Sequence, residues 1–411
     1  MTSLFRIAVL AVACSAAAAA AAEAEILDLG QVVALSAATS EVDIAAFETG
    51  VASAGANASR QRFYPTLKDG VEVDPSTELD AQLRLGWTLL DLEAWHRRKA
   101  AQAELRASEA AAILAIERSA LAAALAWLGL GGAQAEVDLA VEDLRLAEEL
   151  LAQARAKVET GVAEAISETR AASQVETARA ALVSAQGRRR SAAIDLARVL
   201  ELSPGVDLSA ARVPDEALIP TLGFADADAA EAYALANRSE LQVSDATLAA
   251  IEAQAKAATG ARLPRLGIFA QTGYGGPDTD HLDPGWGAGV GIVIPLVDGA
   301  DQARLRARQQ QRRRDEVEIR VRAQVRTALS ALETAQARLV AERARSDLAD
   351  QELDQARKRF DAGVAGNLEV IDAQRSRTAA QASILRSLLD LNAARVRLIA
   401  ATGSIRELTG R

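Results

Sequence analysis

Residues 79–91, LDAQLRLGWTLLD, and residues 286–298, WGAGVGIVIPLVD, decide how this chain reads. In the first, Leu79, Ala81, Leu83, Leu85, Trp87 and Leu89 alternate with Glu78, Asp80, Gln82, Arg84 and Thr88. In the second, Trp286, Val290, Ile292, Ile294 and Leu296 alternate with Gly287, Gly289 and Gly291. Period-two alternation sustained over this length predicts a strand with one oily and one wet face. Each has an upstream partner. Leu67, Asp69, Val71 and Val73 alternate with Lys68, Gly70, Glu72 and Asp74, and Pro75-Ser76 supplies the turn. Leu266, Ile268, Ala270 and Tyr274 alternate before a polar, turn-rich loop over 275–285. Two strand pairs are therefore expected, at about 66–90 and 265–298.

Working outward, each pair is followed by a long proline-free stretch, 92–160 and 300–362. A helix of either length spans on the order of 100 Å. Gly161-Val162 and Gly363-Val364 then break the chain, and a shorter helix returns to Leu202 or to Thr402-Gly403. Other landmarks also match: Ser40-Glu41 with Ser239-Glu240, Pro65 with Pro264, Asp91 with Asp298. The offset stays near 200 residues, far too long for a solenoid unit. The chain is a duplicated half. The organisation expected is a leader (1–24), a first half (25–205, helical hairpin 91–202), a linker (206–223), a second half (224–403, hairpin 299–402) and a tail (404–411).

Composition agrees with long helices rather than an ordinary compact core. Aromatic residues make up only 3% of 411, where compact cores lean on them. The net charge of −10 argues against nucleic acid as a partner. Two histidines, His96 and His281, and a single cysteine leave little for a metal site or a nucleophile. No enzyme activity and no cofactor are expected.

Residues 1–24 read as a secretory leader: Arg6, an apolar run over 7–13, then small-x-small cleavage patterns at Ala20-Ala21-Ala22 and Ala22-Glu23-Ala24. An inner-membrane helix is the alternative, with a short apolar stretch and no anchor after it. Cys14 is the candidate lipidation site, although Ala11 stands where lipoproteins usually carry Leu. No later stretch has eighteen consecutive apolar residues, so contact with a membrane falls to the strands.

Two hairpins cannot close a barrel alone, and lipid does not tolerate open sheet edges. If the strands span, several chains pool them; three chains would supply twelve. The alternative is a pair of soluble hairpins lying on a helical body. In the last helix, Leu385, Leu389, Val396 and Ile399 form one stripe, and Ile384, Leu388, Leu391 and Leu398 a second. Two seams predict two helical neighbours; a broad-striped antiparallel coiled coil remains the alternative. Gly129, Gly131 and Gly132 are candidates for a kink. Basic residues follow each strand pair: Arg97, Arg98 and Lys99, then Arg304, Arg306, Arg308 and Arg312-Arg313-Arg314. They read either as a solvated helix face or as partners of lipid phosphates.

Several stretches resemble the TolC-type outer-membrane efflux protein family. They include Ala236-Asn237-Arg238-Ser239-Glu240-Leu241, Arg262-Leu263-Pro264-Arg265-Leu266 and Ile294-Pro295-Leu296-Val297-Asp298-Gly299. The most specific is Arg359-Phe360-Asp361-Ala362-Gly363-Val364 with Leu368-Glu369-Val370-Ile371-Asp372-Ala373-Gln374, similar to the family's hairpin tip. Leu398-Ile399-Ala400-Ala401-Thr402-Gly403 is similar to its ending. The resemblance covers nearly the whole mature chain.

It implies a mainly α fold with a small β part: a homotrimer with a twelve-stranded outer-membrane barrel above a periplasmic α-helical barrel. It implies an exit duct of a tripartite efflux pump, partnered by outer-membrane lipid, a periplasmic adaptor and an inner-membrane RND or ABC transporter. A type I protein secretion duct is the alternative within the family; a soluble periplasmic coiled-coil scaffold is the alternative outside it. The resemblance places Glu369 and Asp372 at the channel aperture, where threefold symmetry makes rings of carboxylates that attract cations. It places Gly161, Val162, Gly363 and Val364 at the tips that meet the adaptor. It also has gaps: Phe360 and Ala365 stand where well-known members carry a latching tyrosine and arginine, and Ser167 with Glu168 beside it where they carry an acid. The shut tip is then expected to rest on packing and on the acid rings.

Overall fold

The computed structural model describes residues 25–410 apart from 62, 75–77, 162–163, 204, 213, 277–282, 295–299 and 365. The leader with Cys14, the Pro75-Ser76 turn, Val162, Ala365, His281 and the end of the last strand at Leu296 lie outside the described residues. The elements run β1 (Glu25–Leu27), α1 (Leu29–Ser36), α2 (Ser40–Gln61), β2 (Thr66–Asp74), β3 (Glu78–Leu90), α3 (Leu92–Glu159) and α4 (Ala165–Val199). They continue with β4 (Leu208–Ala210), α5 (Ala227–Asn237), α6 (Ser239–Gly260), β5 (Arg265–Gly276), β6 (Asp283–Val293), α7 (Ala300–Asp361) and α8 (Asn367–Thr402), closed by a 3-10 helix (Ile405–Gly410).

The two strand pairs join into one antiparallel sheet in the order β2-β3-β5-β6. Register puts Leu67, Leu85, Ala270 and Ala288 on one rung, Trp87, Ile268 and Val290 on another, and Leu83, Thr272 and Trp286 on a third. All these share a face, because side chains alternate with period two and the rungs are two residues apart. That face is open: Trp286 is 87% exposed, and Leu67, Leu83, Leu85, Trp87, Ile268, Val290 and Ile292 are exposed with it. A register shift between Thr88 and Leu90 ends the regular ladder just before α3.

Helix α3 starts where Asp91 caps it, the carboxylate accepting from Ala94 N at 2.8 Å. It runs unbroken through Gly129, Gly131 and Gly132. Two of those glycines permit close approach: a Cβ on Gly132 would meet Leu389 Cδ1 at 2.5 Å, and one on Gly131 would meet Arg212 O at 3.2 Å. By length and composition alone α3 also qualifies as a membrane span, with an 18-residue window of mean hydropathy 1.6. Its neighbours cover 39% of that window. Ala120, Ala123, Ala124, Trp127 and Leu130 are buried in the main core with Val32, Leu196, Leu208 and Ile219. The Trp127 indole donates to Leu27 O at 2.8 Å, under the parallel β1–β4 ladder.

The helices repeat the lateral order of the strands. Next to the sheet they run α2-α3-α6-α7, each continuous in sequence with the strand it extends; toward the tips they run α4-α3-α8-α7. The two stripes of α8 face two neighbours, as expected. Val396 and Ile399 join the core built on α3, and Leu391 and Leu398 join Val321, Val325, Leu332 and Leu339 of α7. Residues 206–223, expected as a linker, contribute fully buried Leu208 and Ile219. The expected tail after Gly403 buries Ile405 and Leu408.

Candidate functional site

At the far end from the sheet, both hairpins turn in the same way. Gly161 and Gly363 each adopt φ +73°, a left-handed conformation that costs glycine little. Gly161 N donates to Val158 O at 3.0 Å and Gly363 N to Phe360 O at 3.1 Å. Val364 N closes the second turn on Arg359 O at 2.9 Å, and its side chain is 72% exposed.

Glu369 and Asp372 lie in the first turns of α8, both exposed, while Val370, Ile371 and Ala373 between and beside them pack inward with Leu150, Leu353, Ala356 and Phe360. The two acids are therefore on the outward side of α8. Neither stands alone: Arg359 Nε is 3.4 Å from Glu369, and an Arg375 guanidinium nitrogen is 3.9 Å from Asp372.

Sequence reasoning missed the bonds that tie the tips together. Lys157 Nζ lies 3.4 Å from the centre of the Phe360 ring, donates to Phe360 O at 2.7 Å and is 3.8 Å from Asp361. Asn367, buried, donates to Ser167 O at 2.6 Å. Arg375 donates to Gln174 Oε1 at 2.9 Å. Glu168 accepts from Arg155 at 2.9 Å, within the first hairpin. The sequence separations of the three cross-hairpin contacts are 203, 200 and 201 residues. They link positions within two residues of equivalence in the duplicated halves, whose tips Gly161 and Gly363 are 202 residues apart. Phe360 is packed and covered by a lysine rather than hydrogen-bonded through a phenol.

The junction of sheet and helices carries a second feature. Phe63, Tyr64, Trp87 and Trp95 gather there, with Trp87 Nε1 donating to Phe63 O at 3.1 Å. Lys99 lies 3.7 Å from the Trp95 ring and Arg98 5.9 Å from the Phe63 ring. Buried Glu93 takes both Arg97 and Arg265. Aromatic rings interleaved with long basic side chains suit the boundary between lipid and water.

The lateral edges complete the picture. β2 and β6 each pair on one side only among the described residues. On α2, exposed Ile44, Phe47 and Val51 recur at heptad a/d spacing. On α7, exposed Leu305, Ile319 and Val340 are separated by multiples of seven. On α4, exposed Ile166, Val183 and Ile194 fall on the same kind of seam. Both outer flanks of the helical layer thus leave apolar side chains exposed among the described residues.

Known proteins share this arrangement. Residues 37–201 and 232–404 match the family model described as outer membrane efflux protein. The probable efflux pump outer membrane protein SepC and the toluene efflux pump outer membrane protein TtgF, both of Pseudomonas putida, are each 30% identical over 370 residues, spanning 86% of this chain and 75% of theirs. A crystal structure of CusC superimposes with a TM-score of 0.81 at 18% identity, over 94% of this chain and 95% of that one. The outer membrane channel CmeC of Campylobacter jejuni does so with a TM-score of 0.77 at 17% identity, over 92% and 85%. With both duplicated halves matched in order, the chain belongs to the outer membrane efflux protein family.

Proposed function

We propose that three copies of this chain close into one duct, a twelve-stranded barrel in the outer membrane above a tunnel of helices that reaches through the periplasm. The observation that carries this reading is the sheet: an oily face in register across four strands, with both edges unpaired among the described residues. Lipid requires those edges to be closed. Closure by the same sheet of a neighbouring copy is a head-to-tail contact that forms a ring. The free seams on α2 and α4 at one flank and on α7 at the other give the helices the same way to close. The aromatic and basic junction then lies at the inner surface of the membrane.

The duct conducts and does not catalyse. An inner-membrane transporter, of RND or ABC type, supplies the energy, and a periplasmic adaptor docks on the tips at Gly161-Val162 and Gly363-Val364. Efflux is favoured over type I protein secretion because the curated relatives are efflux pump proteins. Glu369 and Asp372 line the aperture, each tempered by its neighbouring arginine. In planar bilayers the full chain is expected to give long-lived conducting steps, and the same preparation to contain three copies by native mass spectrometry; a monomer that leaves the bilayer silent would overturn the reading. Replacing Glu369→Ala together with Asp372→Ala should raise conductance and weaken block by multivalent cations. Unchanged conductance and block would remove the acids from the aperture.

A further inference from the structure

The two sides of the helical layer differ just below the sheet. Helix α6 turns Gln254, Ala258 and Ala261 to a cleft that it shares with Glu93, Arg97 and Arg265. It turns Glu252, Lys256 and Thr259 to a second cleft, shared with Leu92, Leu263, Arg304 and Arg308. At about 100° per residue, these two sets stand on opposite sides of the helix. Arg265 alternates with Leu266 and Ile268, so its side chain leaves the sheet on the face away from the oily one. The first cleft is therefore on the inner side, and the second lies beneath the oily face.

The second cleft holds about 460 Å³. Its base is the close contact of α6 with α3: a Cβ on Gly260 would come 3.3 Å from the Glu93 amide nitrogen. Its chemistry is layered. Leu92 and Leu263, both exposed, stand nearest the sheet and continue the oily face downward. Lys256 stands one helical turn further from the sheet, before Gly260, and Arg304 and Arg308 stand one and two turns into α7. A turn rises about 5 Å, and the headgroup layer beneath the hydrocarbon is roughly 5–8 Å deep. Cations thus lie at the depth of lipid phosphates, with apolar side chains above them.

These cations are also available. The basic residues that follow the first strand pair are engaged, Arg97 on Glu93, Arg98 over Phe63 and Lys99 over Trp95. Lys256 and Arg308 make no ion pair among the described residues. Arg304 is 3.3 Å from Asp301, and Glu252 is the acid that lines the cleft. Against those two acids the three cations leave one net positive charge, the complement of a phosphodiester.

We propose that this cleft binds one glycerophospholipid carrying a single negative charge, from the inner leaflet of the outer membrane, with its phosphate between Lys256 and Arg308 and its acyl chains running past Leu92 and Leu263 onto the oily face. This rests on the exit-duct reading, which sets the oily face in lipid and repeats the cleft on each of three copies. Basic pockets between helices at a membrane surface hold anionic headgroups in this way. The cleft fixes the depth at which the duct sits and selects the lipids that ring it.

The test is lipid retention by full-length trimers in native mass spectra, after exchange into detergent holding either phosphatidylglycerol or phosphatidylethanolamine. The parent should keep one phosphatidylglycerol per cleft and prefer it to phosphatidylethanolamine. Lys256→Gln with Arg308→Gln should weaken retention about thirtyfold, at about fivefold per charge. Glu252→Gln should strengthen it, an effect that mere structural damage would not produce. Parent trimers that keep both lipids equally, or a double variant that keeps as much phosphatidylglycerol as the parent, would overturn the site and leave the exit duct standing. So would displacement of the lipid by millimolar inorganic phosphate, which would assign the cleft to free anions. A parent chain that stays monomeric and leaves bilayers silent would overturn both. Should the double variant fail to form trimers, Lys256→Gln alone decides the question.

Discussion

Helices α3 and α7 hold equivalent places in the two halves, yet their surroundings differ. α3 lies in the middle of the layer, touched on both flanks, and buries Ala120, Ala123, Trp127 and Leu130. α7 forms the outer flank. It covers itself with its own ion pairs, Arg314 with Glu318, Arg320 with Glu316 and Lys358 with Asp354, while Leu305, Ile319 and Val340 stay exposed on one seam. Surface pairs of that kind contribute little each. Duplication gave two similar hairpins, but a flat layer has one middle and two edges. The copy left at the edge keeps Leu305, Ile319 and Val340 exposed, where the proposed duct would set a neighbouring subunit.

The largest effect should come from that seam. Ile319→Asp with Val340→Asp is expected to abolish trimers in detergent while the chain keeps its helical circular dichroism. Trimers that persist in native mass spectra would place the seam elsewhere. The same variants would leave contacts within the chain untouched, because neither side chain is buried.

The ends of the halves offer a sharper contrast. Gly403, at φ +84°, holds its Cα where a Cβ would come 2.9 Å from Asn237 O. The matching place in the first half is Glu201, left-handed at φ 55° without being glycine, whose carboxylate takes both the Ser40 amide and hydroxyl. Gly403→Ala should destabilise by about 2 kcal/mol, from backbone strain plus the clash. Glu201→Gly should change stability by less than about 1 kcal/mol, because relieved strain offsets the lost cap. Denaturation of the detergent-solubilised protein would show the asymmetry, and equal losses would refute it.

At the tips the two hairpins depend on each other unequally. Lys157 of the first covers Phe360 of the second. Lys157→Ala should loosen this contact by about 1 kcal/mol and speed amide exchange around 358–364 more than around 158–162. Uniform exchange at both tips would argue that the lysine does not bridge them.

The smallest effect concerns a buried acid in the middle of α3, Glu117. Glu117 is buried and accepts from Ser239 Oγ at 2.8 Å; burial pushes its carboxyl up from the usual range against the pull of that hydrogen bond and of Arg406. A raised carboxyl binds its proton more tightly folded than unfolded. Its contribution is therefore full below the unfolded value and is lost as pH rises through the folded one. Glu117→Gln should flatten that decline above the ordinary glutamate range, about pH 4. A parallel melting profile in parent and variant would show that Glu117 does not titrate in this range.

Much of this was legible in the sequence, because the long elements carry strong periodicity. Period two exposed the oily strand faces, two heptad-like stripes announced two neighbours for α8, and Gly-Val pairs marked both tips. What stayed hidden was short or non-local. β1 and β4 are three residues each, one at the start of the first half and one in the stretch expected as a linker, too brief to show a pattern. Ile219 and Ile405 fill the core from segments with no periodic signal at all. The glycine cluster near 130 was readable as a candidate kink but not as room for Leu389, since only packing shows which neighbour arrives. The tip contacts lay within reach through the repeat offset, yet nothing in a single sequence says that equivalent positions touch.

Edge closure is tested most directly by cysteine cross-linking in outer membranes, with Leu67→Cys on β2 and Ile292→Cys on β6 in a chain lacking Cys14. The account predicts disulfide-linked dimers and trimers under oxidation for this pair or for neighbours one or two rungs away, and none when either cysteine is alone on its strand. Membrane-embedded chains that cross-link only within themselves, or not at all along either edge, would contradict it.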